Sequence, residues 1–432
     1  MLVNLITMGC SKNLVDTGRV GTLLAESGFE VASELSFDCG GIVVINTCGF
    51  IGDAKEESIE MILSACKAKA DGLVDAVYVM GCLSQRYRNE LPDSIPEVDA
   101  WYGKFDWRGL AADLAAKYEP DTAEKPAVEA DSEVPVSAYI KIAEGCNRFC
   151  AFCAIPIITG RYVSRPVEEV LDEVRRLAAA GTREFNIIAQ DLSYYGRDIY
   201  GGKSALARLI DAMADIEGVE WIRLHYAYPA DFPYDVLEVM ARRSNVCKYL
   251  DIALQHISDK VLSNMRRHID ADGTRRLLAR IRAAVPGIHI RTTLMVGFPG
   301  EGDAEFDELL AFVKEQRFER MGAFAYCEED DTFAALNYDD EIPQEVKQAR
   351  LDKLMAIQED ISYDVNRAKI GSKLRVLVTD ENDDYYVGRT EFDSPEVDPE
   401  VLISKDCHLS TGSFVNVEIT GAEPYEIIGR VC

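Results

Sequence analysis

Three cysteines within eight residues constrain this chain more than any other feature. Cys146, Cys150 and Cys153 are spaced by four and three residues, and Phe152 stands directly before the last of them. A single loop with this spacing can turn its sulfurs toward one centre, and thiolates are the ligands that iron–sulfur clusters prefer. Because only three cysteines are close in sequence, a four-iron cluster here would keep one iron without a protein ligand. Catalytic metal sites have such an open position, whereas structural sites are closed.

Two other interpretations of these thiols stay open from the residues alone. A structural zinc ion takes four ligands, usually as two separated pairs, and no second pair lies nearby. His225 and His256 are too far along the chain to be judged as a fourth ligand. Disulfides require an oxidising compartment, for which nothing else in the sequence argues.

The composition indicates a globular protein of several domains. A chain of 432 residues, 48% of them hydrophobic, can bury a sizeable core. It has no apolar run of about 18 residues and no basic leader at its start, so we expect a cytoplasmic protein. Twelve cysteines then point to metal or redox chemistry. The net charge of −28 repels phosphate backbones and favours a basic partner.

Residues 1–110 alternate short apolar runs with helical patterns, which predicts an α/β domain with a doubly wound parallel sheet. Strands that are covered by helices on both faces read as continuous apolar runs, as these do. The predicted strands are Val3–Met8, Gly41–Asn46 and Ala76–Met80, and the predicted helices between them are Leu14–Glu26 and Asp53–Ala70.

Each of these strands is followed by a cysteine: Cys10, Cys48 and Cys82. Because the carboxyl ends of parallel strands form one crevice, three thiols separated by 38 and 34 residues can converge there. The alternative interpretation is three ordinary buried cysteines, since a free cysteine packs as a small hydrophobic side chain. Repetition at the same strand position favours a second cluster site with an open iron.

The middle of the chain predicts a larger parallel sheet. Residues 119–137 are rich in Glu, Asp, Pro and Ala and predict an acidic linker. Residues 138–327 then repeat a strand–helix rhythm, which predicts a barrel or partial barrel with its site at the carboxyl ends of the strands. The predicted strands are Ala138–Ala143, Glu184–Ala189, Trp221–Tyr226, Tyr249–Leu254, Ile288–Val296 and Gly322–Tyr326.

Polar residues gather at the ends of these strands. Gln190 follows the second strand, Gln255 and His256 follow the fourth, and Gly297 follows the fifth, which itself contains Arg291. Glycine lets the backbone approach a ligand closely, and an inward-facing arginine needs a partner. Repeated at equivalent loop positions, such residues indicate a pocket. We interpret His256 as a hydrogen-bonded structural histidine in preference to a catalytic one.

The cysteine spacing, with the aromatic residue before the last thiol, resembles the signature of the radical S-adenosylmethionine (radical SAM) enzymes. The count of six strand–helix units resembles their partial (β/α)6 barrel. The resemblance implies that Cys146, Cys150 and Cys153 hold a [4Fe–4S] cluster, that SAM chelates the fourth iron, and that an electron donor such as flavodoxin or ferredoxin drives cleavage of SAM. The residues expected to contact SAM are Phe152, Gln190, Gln255, Arg291 and Gly297.

After a polar helical segment at Glu345–Ala368, residues 371–432 contain short alternating runs that predict a small antiparallel β-barrel. A cluster domain, a radical SAM barrel and a TRAM-like barrel in this order resemble the methylthiotransferases of the MiaB/RimO type. That resemblance implies two [4Fe–4S] clusters and insertion of –SCH3 into a C–H bond. The implied segments are 1–118 for the N-terminal domain, 119–137 for the linker, 138–365 for the radical SAM barrel with its connector helix, and 366–432 for the TRAM-like barrel.

Two branches of that family differ in substrate. One modifies an adenosine in transfer RNA, and the other modifies the β-carbon of an aspartate in the small-subunit ribosomal protein of the decoding centre. Leu254–Asp259 and Val387–Asp398 resemble the second branch. From Asn366 to Cys432 the sequence has seven Lys or Arg and thirteen Asp or Glu, the opposite balance to an RNA-binding barrel. We therefore expect a basic ribosomal protein as partner and no direct nucleic-acid substrate.

Four acidic residues in one segment are expected to be exposed, without internal partners, and to meet that protein: Glu391, Asp393, Glu396 and Asp398.

A non-catalytic iron–sulfur carrier or binding module is the interpretation from another class. It explains the cysteines but not the polar residues at the ends of the predicted barrel strands. Reductive cleavage of SAM separates the two classes, because a carrier produces none.

The two sets of three cysteines predict about eight irons per chain after anaerobic reconstitution. The double variant Cys146→Ala, Cys150→Ala loses one set and should retain about half of the iron, which iron and sulfide analysis measures. A wild-type protein that binds only zinc, or that saturates with one cluster, contradicts this prediction.

Overall fold

A computed structural model describes residues 1–33, 36–37, 40–118 and 135–432. Most of the predicted linker, residues 119–134, lies outside the described residues. No described helix is long and apolar enough to cross a membrane. The described residues form two compact units, one drawn from Met1–Glu133, Glu144–Tyr162 and Glu329–Leu336, the other from Val134–Ala143, Val163–Glu328 and Asn337–Cys432.

The first unit contains a five-stranded sheet in which every neighbouring pair is parallel. Its elements up to residue 118 are β1 (Leu2–Thr7), α1 (Ser11–Glu26), β2 (Glu30–Ala32), β3 (Ile42–Thr47), α2 (Gly52–Ala70), β4 (Ala76–Gly81), α3 (Cys82–Arg86), α4 (Leu91–Ser94), β5 (Ala100–Trp101) and α5 (Trp107–Lys117). The strand order is β2-β1-β3-β4-β5. The predicted parallel sheet is confirmed, and the sequence analysis missed only its two short edge strands, β2 and β5.

Helices cover both faces of this sheet and build a separate hydrophobic core on each. Along β3, Val43 and Ile45 belong to the core shared with α2, whereas Ile42 and Val44 belong to the core shared with α1 and α5. All six residues of β3 are buried, which explains its continuous apolar run. The carboxyl ends of β1, β3 and β4 consequently lie side by side at one edge.

The second unit contains a six-stranded parallel sheet with crossover helices, as predicted. The helix α6 (Ile155–Thr159) and most of α13 (Phe333–Asn337) belong to the first unit. The other elements between residues 137 and 337 are β6 (Ser137–Lys141), β7 (Ala143–Glu144), β8 (Val163–Ser164), α7 (Val167–Ala180), β9 (Glu184–Ile188), a 3-10 helix (Leu192–Tyr194), α8 (Leu206–Ala214), β10 (Trp221–Ala227), α9 (Asp235–Arg242), β11 (Val246–Ile252), α10 (Asp259–Asn264), α11 (Ala271–Ala284), β12 (His289–Val296), α12 (Asp303–Gln316) and β13 (Arg320–Ala325). The order in the sheet is β6-β9-β10-β11-β12-β13. β11 begins earlier than predicted because the buried Val246 and Cys247 extend its apolar run.

The end of the chain forms a closed barrel of five strands. Its strands are β14 (Lys373–Glu381), β15 (Tyr385–Thr390), β16 (Glu400–Ser404), β17 (Phe414–Ala422) and β18 (Glu426–Val431). Four of the five pairings are antiparallel, and β16 pairs with β18 in parallel. A closed ring with an odd number of strands cannot alternate direction throughout, so one parallel pair is required.

The long polar helix α14 (Gln344–Arg367) does more than connect the sheet to the barrel. Its Leu354 and Ile361 are buried. Gln358 Nε2 donates to the carbonyl oxygen of Phe318 at 2.9 Å, beside the sheet, and Asn366 Nδ2 donates to that of Glu423 at 2.9 Å, in the barrel. The helix therefore packs against both.

The prediction that the acidic segment of the barrel is exposed and lacks internal partners is wrong. Only Glu396 is exposed. Asp393 is 1% exposed and its Oδ1 accepts from Arg320 at 2.5 and 3.0 Å. Asp398 accepts from the Tyr249 hydroxyl at 2.9 Å, and Glu391 accepts from a backbone N–H of β11 at 3.1 Å. Sequence alone cannot show this, because the partners lie 73 or more residues away.

A further buried carboxylate, Glu184, joins the same segment to the sheet. It stands at the start of β9, is fully buried, and contacts Arg223 of β10 at 3.0 Å and Arg389 of β15. Burial alone would raise the pKa of Glu184, but the two arginines lower it to about 2. Residues 389–398 are thus held by charged pairs near the amino ends of the strands, opposite the ends where a ligand site is expected.

Asp393→Ala should destabilise the second unit by about 3–5 kcal/mol, because Arg320 stays buried without its carboxylate. Glu396→Ala removes an exposed carboxylate of the same segment and should change the free energy of unfolding by less than about 0.5 kcal/mol. Urea unfolding followed by the fluorescence of Trp221, which packs edge-on against Phe414 of the barrel at 4.8 Å, measures both. Equal effects of the two variants contradict the prediction.

The same pair makes stability depend on pH. Burial acts to raise the pKa of Asp393, but Arg320 and Lys369 hold it well below its usual value. A carboxylate with a lowered folded pKa stabilises the protein above its unfolded pKa, about 3.9, and loses that contribution as pH falls toward the folded value. Wild type should therefore lose more stability than Asp393→Asn between about pH 5 and pH 2.

Candidate active site

Three cysteines lie at the carboxyl ends of three adjacent strands in the first unit. Cys10 follows β1 at the N-cap of α1, Cys48 follows β3, and Cys82 follows β4 as the first residue of α3. Gly9 permits the close approach, since its φ is +89° and a Cβ there would lie 2.7 Å from the Cβ of Cys48. The structure brings together the thiols that the sequence analysis placed at one edge; we call this place the cysteine crevice.

The three thiols of the crevice differ in their ionisation. Burial raises the pKa of Cys82 to about 11 and also raises that of Cys48, and the neighbouring Cys10 adds to both shifts. Desolvation by the surrounding protein acts to raise the pKa of Cys10, but the charge of Lys12 and the backbone amides of Asn13 and Lys12 together lower it below its usual value. Cys10 is also exposed to solvent. It is therefore the thiol of the crevice that ionises most readily.

Two buried asparagines tie the strand ends together, and the sequence analysis missed both. Asn13 Nδ2 donates to the carbonyl oxygens of Met8 at 2.9 Å and Thr47 at 3.1 Å, while the Sγ of Cys82 lies 3.6 Å from its Oδ1. Asn46 Nδ2 donates to the carbonyl oxygen of Asn13 at 2.9 Å. Asn46 could have been found from the sequence, because it is a polar residue within the apolar run of β3.

A buried cation, Lys104, stands beside the crevice and was also missed. It is 2% exposed, and its Nζ lies 3.1 Å from Asp16 and 4.0 Å from Glu144, the residue before the cysteine loop. Burial would lower its pKa, but Cys82, Glu144 and Asp16 raise it. Lys104 therefore stays charged and offsets the negative charge of thiolates in the crevice.

The loop from Gly145 to Cys153 belongs to the same compact unit. The N–H of Arg148 lies 3.5 Å from the Sγ of Cys146, and the N–H of Cys153 donates to the carbonyl oxygen of Cys150 at 3.1 Å. Gly145 has a φ of +83°, and a Cβ there would lie 2.2 Å from a carbonyl oxygen of the returning chain. Cys146 and Cys150 are buried, and Cys153 is partly exposed.

The crevice is in direct apolar contact with the segment that follows the loop. Cys82 packs with Ala154, the residue directly after the loop, and with Ile158 of the helix α6. Ala154 and Ile158 are 0% and 2% exposed. The two sets of three cysteines, one predicted for each of two domains, therefore lie in one compact unit.

Both sets offer thiolates alone, the donor chemistry that iron–sulfur clusters use. Among the residues that the structure describes, no three His, Cys, Asp or Glu side chains are grouped so that they could hold a single metal ion. A four-iron cluster spaces its cysteine ligands by the width of its own core, so it does not need them gathered around one ion. The donor sets fit the predicted clusters.

Three of the predicted SAM contacts lie at carboxyl ends of the second unit's strands. Gln190 follows β9, Gln255 follows β11, and Gly297 follows β12 with a φ of +75°. Gln255 is held in the sheet by hydrogen bonds to β12, of 2.9 Å to Thr293 and 2.7 Å from Met295. Its Oε1 is buried and has no hydrogen-bond partner among the described residues, which suits a polar ligand. The fourth predicted contact, Phe152, lies in the cysteine loop of the first unit.

Arg291 has other partners than the predicted SAM. It is the third residue of β12, near the amino end, where its Nε lies 3.3 Å from Asp398 and its NH1 lies 3.7 Å from Asp251. The polar partner that an inward-facing arginine requires is thus supplied by the C-terminal barrel.

His256 is fully buried and hydrogen-bonded, as the structural interpretation expected. Its Nε2 lies 3.2 Å from Glu301 Oε2, and its Nδ1 accepts from the N–H of Ser258 at 3.0 Å. Glu301 in turn pairs with Arg350 at 2.8 Å. This chain of contacts fixes the loop after β12.

Solved structures of radical SAM enzymes share this fold. The radical S-adenosylmethionine methyltransferase TsrM from Kitasatospora setae, with cobalamin and a [4Fe-4S] cluster bound, superposes with a TM-score of 0.58 at 17% sequence identity, covering 77% of each chain. The cobalamin-dependent S-adenosylmethionine radical enzyme OxsB gives a TM-score of 0.53 at 14% identity, covering 84% of this chain and 57% of that one. At these identities the likeness concerns the fold.

Family models match three consecutive parts of the chain: Uncharacterized protein family UPF0004 at residues 2–103, the Radical SAM superfamily at 140–313 and the TRAM domain at 370–432. With the six-stranded sheet and the cysteine loop, they define a radical SAM enzyme. Proteins named ribosomal protein uS12 methylthiotransferase RimO are 55% identical in Parabacteroides distasonis (99% of this chain, 98% of the relative), 54% in Bacteroides fragilis (99% and 99%) and 47% in Cytophaga hutchinsonii (99% and 97%). The chain belongs to this RimO family of methylthiotransferases.

Replacing Lys104 by methionine should lower the iron content of the first unit and destabilise it by about 3–5 kcal/mol, since Asp16 is left buried without its cation. Lys104→Arg keeps the charge and should recover most of both losses. Iron analysis and thermal unfolding of the three proteins measure this. Wild-type iron content and stability in Lys104→Met contradict the role given to this lysine.

Proposed function

We propose that this chain adds a methylthio group to the β-carbon of an aspartate in ribosomal protein uS12. The observation that carries the proposal is the placement of both cysteine sets in one compact unit, with Cys82 packed against the helix that follows the cysteine loop. Such proximity suits a reaction in which one site activates the substrate and the other delivers a group to it. The shared name of the full-length relatives supports uS12 as the substrate.

Each set of residues has a separate task in this proposal. Cys146, Cys150 and Cys153 hold one [4Fe–4S] cluster, and Cys10, Cys48 and Cys82 hold a second. When bound, the clusters and SAM supply the radical, the methyl group and a sulfur acceptor. Lys104 offsets the charge of the crevice thiolates. Gln190, Gln255 and Gly297 of the second unit contact SAM; Arg291, engaged by Asp398, is left out of that set.

Exposed acidic groups on the C-terminal barrel support a basic protein as the partner. With Asp393 and Asp398 buried, the outward acidic groups include Asp383 and Asp384 in the hairpin between β14 and β15, and Glu396. These negative charges repel a phosphate backbone and attract a basic protein, which raises the rate of association more than the affinity. An electron donor such as flavodoxin or ferredoxin completes the set of proposed partners.

The division of labour between the two cysteine sets can be tested with single variants. Cys48→Ala should keep reductive SAM cleavage, because the loop's ligands are intact, and should form no methylthiolated uS12. Cys153→Ala should lose both activities. Cys66→Ala replaces a buried cysteine of α2 that belongs to neither set and should keep both. Mass spectrometry of uS12 and measurement of 5′-deoxyadenosine report the two activities.

Two outcomes would contradict the proposal in different ways. Loss of SAM cleavage in a folded Cys48→Ala protein that retains its loop cluster means that the tasks are not separate. Methylthiolation of transfer RNA by the wild type, with uS12 untouched, means that the substrate is wrong while the radical chemistry stands.

A further inference from the structure

A buried ion pair in the first unit lies beside the cysteine crevice and takes no part in the proposed chemistry. The carboxylate of Glu329 is 4% exposed and its Oε2 accepts from Arg86 at 2.7 Å and from Lys55 at 2.9 Å. Arg86 is 2% exposed. The second oxygen of Glu329 has no hydrogen-bond partner among the described residues. Two cations therefore hold this carboxylate, and its burial is costly without them.

Arg86 connects that pair to the crevice. It is the last residue of α3, which begins at Cys82. Its NH1 also donates to the carbonyl oxygen of Gly49, next to Cys48, at 3.0 Å, and its NH2 donates to that of Asp330 at 2.7 Å. The Arg86 guanidinium thus joins the backbone next to Cys48 to the backbone next to Glu329.

The residues after Glu329 connect the pair to the cysteine loop. A tight turn follows, closed by the Thr332 hydroxyl, which donates to the carbonyl oxygen of Glu329 at 2.7 Å. The N–H of Ala334 then donates to the carbonyl oxygen of Ala151, between Cys150 and Cys153, at 2.7 Å. Thr332 and Ala334 are 1% and 0% exposed. Hydrogen bonds, joined by the short backbone segment from Thr332 to Ala334, therefore connect the crevice to the loop.

We infer that Glu329 is a positioning residue that fixes the cysteine loop at the distance from the crevice which methylthio transfer requires. The inference rests on the proposed function, because it assigns Glu329 to the coupling between the two sites. A residue in this role touches neither substrate nor cofactor. Its loss leaves each site intact and uncouples them, since a misplacement of about 1 Å costs a rate about 100-fold.

The test measures methylthiolated uS12 formed per 5′-deoxyadenosine with the reconstituted full-length enzyme. Glu329→Ala should keep SAM cleavage within about twofold of wild type and lower this ratio by at least about tenfold. Glu329→Gln, which retains an acceptor for Arg86 without the charge, should lower the ratio less. The exposed neighbour Glu328 provides the matched control, and Glu328→Gln should leave the ratio unchanged.

Two further measurements test the role of Glu329 without measuring methylthiolated product. Hydrogen exchange should rise in residues 145–153 and 329–336 of Glu329→Ala, and the magnetic interaction between the two reduced clusters, seen by electron paramagnetic resonance, should change. If Glu329→Ala does not fold, Glu329→Gln and Tyr87→Phe, which removes the 2.8 Å hydrogen bond to Asp330, carry the same comparison.

A wild-type ratio in Glu329→Ala, or a loss of SAM cleavage in proportion to product, overturns the inference. Failure of the proposed function looks different. In that case wild type makes no methylthiolated uS12, while the exchange and resonance comparisons between wild type and Glu329→Ala still decide whether Glu329 holds the loop.

Discussion

Parallel pairing of strands is the constraint on which both units depend. When neighbouring strands run in the same direction, every carboxyl end reaches the same edge, and the residue that follows each strand arrives there whatever its distance in sequence. In the first unit this edge gathers Cys10, Cys48 and Cys82. In the second it receives Gln190, Gln255 and Gly297. In the first unit, the helices that make parallel pairing possible also bury both faces of the sheet, so its site lies at this edge.

Buried charge is used in a different way in each unit. In the first, Lys104 is a cation close to thiols and Arg86 bonds to the backbone next to Cys48, and each has a carboxylate partner that keeps it in place. In the second, carboxylates of the C-terminal barrel pair with arginines inside the strands. Breaking such a pair costs more than the pair contributes, because the remaining charge stays desolvated. These pairs therefore specify one arrangement more than they add stability.

The central strands β3 and β4 of the first sheet follow from the sequence because burial on both faces leaves a continuous apolar run. The edge strands β2 and β5 are too short to give one. The acidic segment was misread for a different reason. Asp393 looks like any surface acid, and Arg320 alone gives no sign of which carboxylate it will meet 73 residues later. Arg291 did signal the need for a partner, but the partner came from the barrel and not from the ligand.

Glu329 shows the same limit at the site. It stands in a run of four acidic residues, Glu328 to Asp331, and no pattern separates the buried one from its exposed neighbours. The cysteines could be found because their residue type carries the chemistry and their spacing repeats. The residues that hold the cysteines in place carry ordinary side chains, and only the fold reveals them.

The bonds between residues 389–398 and the arginines of the sheet limit how such enzymes can change their C-terminal barrel in evolution. A C-terminal barrel joined to the rest of the chain only by a linker could be exchanged between relatives as a module. Here Arg223, Arg291 and Arg320 lie inside the strands of the catalytic sheet and bond to the barrel. A foreign barrel without matching acceptors would leave Arg320 buried without its carboxylate, and Arg223 and Arg291 would keep only their partners in the sheet, Glu184 and Asp251. Recombination between members of this fold is therefore expected to carry the sheet and the barrel together, and substrate range to change by substitution on the barrel's outer surface.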